Sequence, residues 1–442
     1  MADKAIISRI TIEQLPEGKT LNLGKALGYT FLVGKDAKIG DLYLLFEDGL
    51  QLSEEFAQKN DLIARKDSQG NRAGGYFEQN RRVKAKKFMK IRSEVFACPL
   101  DYLKYTGYNL DKLKEGDLIE DLNGHPICNK YYTRATLSKR NGPSRRELRG
   151  QTRYFPKHMD TEQFRHYVDK IPDGARIYFT EKVHGTSQRV GNVLEEIPLK
   201  WWHKVCLILS IPLRTREYQY VVGTRNVICS DDKVGFHSNK LRNAAASPFL
   251  NKLHKGEVVY YEVVGYDGDA PIMPAVSTVD MKDKEVQKKY GDTIVYNYGL
   301  PKGEFDVYVY RVSWINEDGI RFELPWEHVK KRCVELGVKH VKEHNTAITR
   351  EFRGEYPILT NFHEFLSGYE ETHKDAIEAL SKRVNELSEN HDNGYTHPNE
   401  GIVIRWEKGP DFGLYKHKSF LFKVLEGICK EDDSYIDTEE IS

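Results

Sequence analysis

At 442 residues, with 39% hydrophobic and 30% charged side chains, the chain has room for two or three domains with real cores, and its composition excludes a disordered protein. A formal net charge of +1 excludes any global attraction to nucleic acid, so such binding must come from local basic patches balanced by acidic ones. The six cysteines, at 98, 128, 206, 229, 333 and 429, show no paired metal spacing and no signal peptide opens the chain, so a reducing cytoplasm is the expected setting and no membrane is implied.

The first β-prone runs are Ala5–Ile10, Tyr29–Val33 and Asp41–Phe46, separated by Gly, Lys and Asp turns. Short strands of this kind predict a small antiparallel barrel, and an OB-like fold is the economical choice for residues 1–137. Between residues 81 and 92, Arg82, Lys84, Lys86 and Lys87 alternate with apolar residues. A strand that lays cations along a phosphate backbone has this pattern, and so does a solvated edge strand. Residues 138–155 read as a basic linker, with Lys139, Arg140, Arg145, Arg146, Arg149 and Arg153 set against one acid.

Residues 156–430 carry the chemistry. Ala175–Thr180 alternates as a half-buried strand, with Ile177 and Phe179 on one face and Tyr178, Thr180 and Lys182 on the other, so that Lys182 faces a cleft. It stands in Glu181-Lys182-Val183-His184-Gly185-Thr186. A free lysine, with a pKa of ~10.4, is protonated and inert at neutral pH, so a nucleophilic one needs desolvation or neighbouring positive charge. Gly185 lets the backbone turn and approach a phosphate, and Thr186 offers a hydroxyl and an N–H to the same ligand. An ordinary strand-end lysine is the competing reading of so short a pattern.

Further along, Trp201–Leu213 is apolar but too short for a membrane helix of ~20 residues, which predicts an inserted hairpin or helix packed on the core. Glu262 lies inside the apolar run Val258–Gly265, where an unpaired carboxylate is costly unless it serves a ligand or a partner. Val329, Cys333 and Leu336 recur at helical spacing, as do Ile377, Leu380, Val384 and Leu387, predicting two covering helices. Glu400 opens the β-branched run Ile402–Ile404, and Lys416 and Lys418 share one side of an extended segment, where two ammonium groups suit a polyphosphate. His391 and His397 flank Glu400, but oxygen ligands suit magnesium better and the pair is left out of the site. Residues 431–442 form an acidic tail.

In this order and spacing the residues resemble the covalent nucleotidyltransferase superfamily of ATP-dependent ligases and capping enzymes, with the RNA ligases as the nearer group. The resemblance covers residues 176 to 425 and implies an α+β fold, an OB-like β-barrel followed by an antiparallel-sheet nucleotidyltransferase core with flanking helices. It implies Lys182 as the nucleophile, Glu181 and Thr186 as nucleotide contacts, and Arg225 in Gly223-Thr224-Arg225-Asn226 as the residue that holds the adenylate or substrate end. Glu262 is similar to the family's ribose-binding glutamate, and Tyr310 to its adenine-stacking aromatic, with Phe305 and Tyr308 as alternatives. Glu400 resembles the glutamate that helps to hold Mg²⁺ or Mn²⁺, and Lys416 and Lys418 the final phosphate-binding motif. His184 stands where DNA ligases and capping enzymes usually carry Asp, which favours an RNA ligase, and the resemblance implies a catalytic role for it in orienting the nicked end or a metal-bound water. Arg225 follows Lys182 by 43 positions, a longer separation than the family usually shows.

Only 24 residues follow Lys418, leaving no room for the C-terminal domain of DNA ligases or capping enzymes. The N-terminal half resembles the domain that some RNA ligases place before the core when they seal nicks bearing a 3′-OH RNA end. The implied function is an ATP-dependent RNA ligase, working as a monomer, that joins a 3′-hydroxyl to a 5′-phosphate at nicks in duplex nucleic acid. The alternatives are a DNA ligase or capping guanylyltransferase, and an inactive nucleic-acid-binding protein on the same scaffold.

Overall fold

The computed structural model describes residues 4–14, 21–66, 68–70, 72–88, 91–141, 150–172, 175–197, 200–209, 215–229, 239–279, 281, 283–344 and 370–437. Its N-terminal half contains β1 (Ala5–Arg9), β2 (Leu21–Ala26), β3 (Tyr29–Gly34), β4 (Leu42–Glu47), β5 (Val95–Pro99) and β6 (Leu118–Ile119). These pair as an antiparallel sheet in the order β5-β4-β1-β6 and as a separate meander of Thr11–Glu13, β2 and β3. Ile7, Leu44 and Phe46 pack to one side of the sheet with Phe56 and Leu103, while Ile6, Tyr43 and Leu45 pack to the other against Phe31 and Val33 of the meander. Burial on both faces explains why these strands are continuous apolar runs and not alternating ones. Among the described residues no ladder closes the two sheets into a barrel.

Two sequence expectations change here. Residues 81–92 are not one strand: Lys86–Phe88 pairs with Ile91–Ser93 as a hairpin, and Arg82 makes only an isolated bridge to Gln51. The first residues of the basic linker belong to a helix, α1 (Arg134–Arg140), which Thr133 caps by accepting from the Thr136 N–H, whereas Arg145, Arg146 and Arg149 lie outside the described residues.

The core that follows contains β7 (Arg176–Lys182), β8 (Thr186–Glu196), α2 (Trp201–Ile208), β9 (Arg216–Thr224), α3 (Asn239–Ala246), β10 (Glu257–Asp267) and β11 (Phe305–Ile315). It continues through β12 (Arg321–Glu323), α4 (Trp326–Leu336), α5 (Glu370–Glu389), β13 (Gly401–Lys408), β14 (Asp411–Lys418) and α6 (Phe420–Cys429). Two sheets result: β7-β13-β14, extended by Glu162–Gln163, and β9-β8-β10-β11-β12. Ile177, Phe179, Ile402 and Ile404 pack beneath the first sheet on Leu380 and Val384 of α5, and Val329, Cys333 and Leu336 of α4 join the core of the second. The side chain of Ile377 lies outside the described residues.

The insertion is an antiparallel β8–β9 hairpin that carries the helix α2, its described apolar side chains do not pack on the core, and residues 210–213 of the apolar segment lie outside the described residues. β8 pairs with β10 only as far as Gly191 and thereafter with β9 alone, so the ribbon runs past the sheet and carries α2 beyond it. Trp201 and Ile208 are 77% and 81% exposed. None of the described helices is long and apolar enough to cross a membrane.

A buried charge network joins the two halves. Lys423 Nζ of α6 lies 3.0 Å from Asp48 and 2.9 Å from Glu94, and His166 Nε2 lies 2.6 Å from Glu47. Burial alone would raise the Glu47 carboxyl, but His166 and Lys423 hold it down at about 2. The start of the acidic tail is also part of the fold: the Ala135 N–H donates to Asp433 O at 3.1 Å, and the Asp437 N–H to Thr136 Oγ1 at 2.9 Å. Removing one partner of a buried ion pair leaves the other charge uncompensated, so Lys423→Ala should destabilise the fold by about 3–5 kcal/mol. A urea midpoint no lower than that of the wild type would show that Lys423 does not secure this junction.

Candidate active site

Lys182 ends the first sheet and Thr186 begins the second, so the three-residue link Val183–Gly185 sets the nucleophile candidate at the junction of two sheets. The register aligns Lys182 with Gly401 and Gly401 with Lys418, and two positions back it aligns Thr180 with Val403 and Val403 with Lys416. By the strand period of two, Thr180, Lys182, Val403, Lys416 and Lys418 all face one cleft. Glu400, just before β13, has a fully buried side chain; its Oε1 lies 2.6 Å from Lys182 Nζ and 3.8 Å from Lys418 Nζ. His184 sits behind it, with Nδ1 3.5 Å from Glu400 Oε2 and its ring edge-on to Tyr296 and Phe422.

Gly185 has a different reason from the one the sequence suggested. A Cβ there would meet Val263 O at 2.6 Å, so the glycine lets the link pass close to β10, and no phosphate need be invoked for it. Thr186 pairs with Val263, is buried and does not line the cleft. Its neighbour Ser187, across the ladder from Glu262, takes the cleft-facing position.

The second sheet supplies the opposite wall: Ser187, Glu262 and Tyr310. The ladder between β10 and β11 shifts register between Tyr260 and Tyr261, and a bulge of this kind re-aims a side chain. Tyr310 Oη lies 2.8 Å from Ser187 Oγ and 3.1 Å from His158 Nδ1. Tyr308 instead packs near Tyr298, and neither it nor Phe305 lines the cleft. Arg225 reaches the cleft and donates to Asp160 at 2.8 Å, so the longer separation from Lys182 does not remove it from the site. Glu181 also lines the cleft, its carboxyl raised by burial.

Positive charge is concentrated here. Burial and the ammonium groups of Lys418, Lys182 and Lys130 push Lys416 down to about 8. Lys130 and Arg82 come from the N-terminal half, which therefore forms part of the cleft wall. The basic residues of 81–92 are mostly paired. Arg82 is 6% exposed and donates to Gly427 O at 3.0 Å, Lys84 pairs with Glu78 and Glu431, and Lys87 with Asp283 at 2.6 Å. Lys86 lies over the Tyr76 ring. Three of these four cations thus bridge to the core instead of lying open along a strand, because a carbonyl (for Arg82) and carboxylates (for Lys84 and Lys87) distant in sequence reach them. His158, Ser187 and Lys130 were missed; only Ser187 had a sequence signal, the period of two counted from the far side of the Gly185 link.

His397 is buried and its Nδ1 faces Pro398 O, while His391 Nδ1 accepts from the Asn399 N–H; both order the loop that delivers Glu400. Among the described residues no three His, Cys, Asp or Glu side chains gather into a metal cage. Glu400 holds a buried carboxylate directly behind the cleft-lining Lys182 and Lys418, an oxygen donor of the kind that fits a hard cation taking its other ligands from phosphate and water.

A lysine between two antiparallel sheets, backed by a buried glutamate and faced by paired lysines, a second glutamate and an aromatic ring, is the arrangement of a nucleotidyltransferase-type ligase. The profile described as RNA ligase matches residues 175–425, and the chain belongs to that family. Among solved structures it is similar to a mutant apo form of Naegleria gruberi RNA ligase, at 14% identity and TM-score 0.56, covering 96% of this chain and 98% of that one. A mutant of the same ligase with ATP and Mn matches at 14% identity and TM-score 0.56 over 95% and 98% of the two chains, and the form with PPi at 15% and 0.55 over 96% and 98%. At this identity the likeness shows a shared fold over nearly the whole length of both chains. No curated protein matches the chain.

The Gly185 contact gives a direct check. Gly185→Ala should force the link off β10, destabilise the protein by about 1–3 kcal/mol and move Lys182 with it; an unchanged melting temperature would show that the link tolerates a side chain.

Proposed function

We propose that this protein is an ATP-dependent RNA ligase that joins 3′-hydroxyl and 5′-phosphate ends, acting as a monomer at nicks in duplex RNA or an RNA/DNA hybrid. The observation that carries the reading is the register that sets Lys182 on Glu400 within a cleft lined by Lys416, Lys418, Arg225 and Lys130. A lysine in such a field suits nucleophilic attack on a polyphosphate, and the surrounding cations suit stabilisation of the charge that develops on phosphoryl oxygens.

In the reaction, Lys182 first gives up its extra proton to solvent and its neutral Nζ attacks the α-phosphorus of ATP; as the N–P bond forms, a second Nζ proton passes to solvent, the bond to the bridging oxygen of the β-phosphate breaks, and pyrophosphate leaves. A 5′-phosphate oxygen then attacks the same phosphorus and releases Lys182. Finally the 3′-hydroxyl attacks the 5′-phosphate, loses its proton and expels AMP. Glu262 serves the ribose, Tyr310 stacks on adenine with its hydroxyl held by Ser187 and His158, and Lys416 and Lys418 hold the phosphates. Glu181 and Arg225 complete the nucleotide contacts, and Thr186 acts only by anchoring the link. A magnesium or manganese ion held by Glu400 would supply charge neutralisation at the phosphates.

The N-terminal half is read as an OB-like module that holds the duplex beside the core. Two sheets packed face to face around Phe31, Tyr43 and Leu45 support that reading, as does the entry of Arg82 and Lys130 into the cleft wall. We read the chain as parts 1–137, 138–155, 156–430 and 431–442, with α1 running across the first boundary and residues 431–437 packed against it.

With α-labelled ATP and magnesium, the wild type should acquire label that acid releases and alkali does not, and Lys182→Ala should acquire none while still sealing a pre-adenylylated nick. Label on that mutant equal to the wild type would overturn the assignment. The depressed Lys416 gives a pH dependence. As pH rises through about 8, the free enzyme loses this ammonium charge, so kcat/KM for ATP should fall on the alkaline side. Lys416→Arg keeps its charge and should extend the plateau upward; an alkaline limb that does not move in this variant would place the titrating group elsewhere.

A further inference from the structure

Behind the cleft, opposite charges alternate from the C-terminal segment to the nucleophile. Asp437 Oδ2 lies 3.1 Å from Lys430 Nζ, which lies 2.7 Å from Glu426 Oε1. Glu426 Oε2 lies 2.8 Å from Lys418 Nζ, Lys418 Nζ lies 3.8 Å from Glu400 Oε1, and Glu400 Oε1 lies 2.6 Å from Lys182 Nζ. Glu426 and Lys430 are four positions apart at the end of α6, which puts them on the same side of the helix. Lys418 and Lys182 thus share one carboxylate, and Lys418 is the more distant of the two.

We propose that Glu426 is a positioning residue that holds Lys418 off Glu400, and that the C-terminal segment through Asp437 completes the active site by balancing Lys430. The inference rests on the nucleotidyl-transfer reading of the cleft. If Glu426 lost its charge, the Lys418 ammonium would turn to the nearest remaining carboxylate, Glu400, and compete there with Lys182. If Asp437 were lost, Lys430 would depend on Glu426 alone and draw it away from Lys418. The outer end of the ladder is fixed from the N-terminal half: the Asp437 N–H donates to Thr136 Oγ1 at 2.9 Å, and the Thr133 hydroxyl donates to Tyr435 O. Its middle is fixed too, because Arg82 donates to Gly427 O next to Glu426.

The test uses the full chain, α-labelled ATP and magnesium, and follows the rate of covalent labelling at saturating ATP. Glu426→Gln keeps the shape and removes the charge, and should slow labelling by about tenfold or more, in line with the cost of misplacing a catalytic group. Asp437→Ala, at the edge of the fold, should slow it by a smaller factor and keeps the test available if Glu426→Gln does not fold. The decisive comparison is made in a Lys418→Ala background. A residue that acts through Lys418 has nothing left to position there, so Glu426→Gln should add no further loss, whereas a general structural role would multiply the two effects. Multiplying effects, or both single variants labelling at the wild-type rate, would overturn the proposal while leaving the ligase reading intact. A wild type that takes no label would overturn that reading and this proposal together.

Discussion

The buried carboxylate of Glu400 is the constraint on which the rest of the cleft depends. A carboxylate removed from water is strongly destabilising unless cations reach it, and here both cations come from strands whose register leaves no choice of partner. Lys182 and Lys418 flank Gly401 across β13, immediately after Glu400. A slip of one residue in β14 would turn Tyr415 and His417 toward the cleft and drive Lys416 and Lys418 into the apolar layer above Leu380 and Val384. The arrangement that satisfies the carboxylate is therefore also the one that keeps the sheet's hydrophobic face intact.

The same logic fixes how the halves meet. Lys423 sits between Asp48 and Glu94, and His166 between the core and Glu47, so the junction is polar but closed to water. An apolar junction tolerates sliding. A junction of buried ion pairs does not, because any displacement leaves a charge unpaired. Lys423 and Asp48 also line the cleft together with Arg82 and Lys130, so the contacts that dock the N-terminal half also shape the surface that a substrate would meet.

How much of this was legible in the sequence follows from the range over which each signal acts. The alternation through Lys182, the shared side of Lys416 and Lys418 and the anomalous acid at Glu262 are local patterns, and the structure brings these residues to one cleft. Thr186 was expected at the ligand for its hydroxyl and N–H, but the Gly185 link resets the phase of alternation and turns Ser187 to the cleft instead, which counting from β7 could not reveal. The cations at 82, 84 and 87 read as a phosphate-binding or solvated strand because their partners, Gly427, Glu431 and Asp283, lie 345, 347 and 196 positions away. The N-terminal strands were visible as runs, but whether they close into a barrel depends on pairings that no local window contains. The exposure of α2 likewise follows from how far the β8–β9 ribbon extends beyond β10, and its apolar composition alone pointed to the core.

A net charge of +1 conceals how unevenly the charge is distributed. Many surface lysines and arginines have a carboxylate within reach, whereas at the cleft Lys416 is pushed down to about 8, first by burial and then by the neighbouring ammonium groups of Lys418, Lys182 and Lys130. Since the unfolded chain holds that proton more tightly, the cation lowers stability below pH 8, and the loss is recovered as pH rises from about 8 toward the ordinary lysine range near ~10.4. The fold carries this local repulsion because cations already in position need no rearrangement when an anion arrives. A polyphosphate would relieve the repulsion, return the Lys416 pKa toward its usual value and stabilise the protein increasingly, as the logarithm of its concentration, once that concentration exceeds its Kd. The least stable part of the electrostatics is in this sense the part arranged for binding, and a variant that relaxed it would exchange affinity for stability.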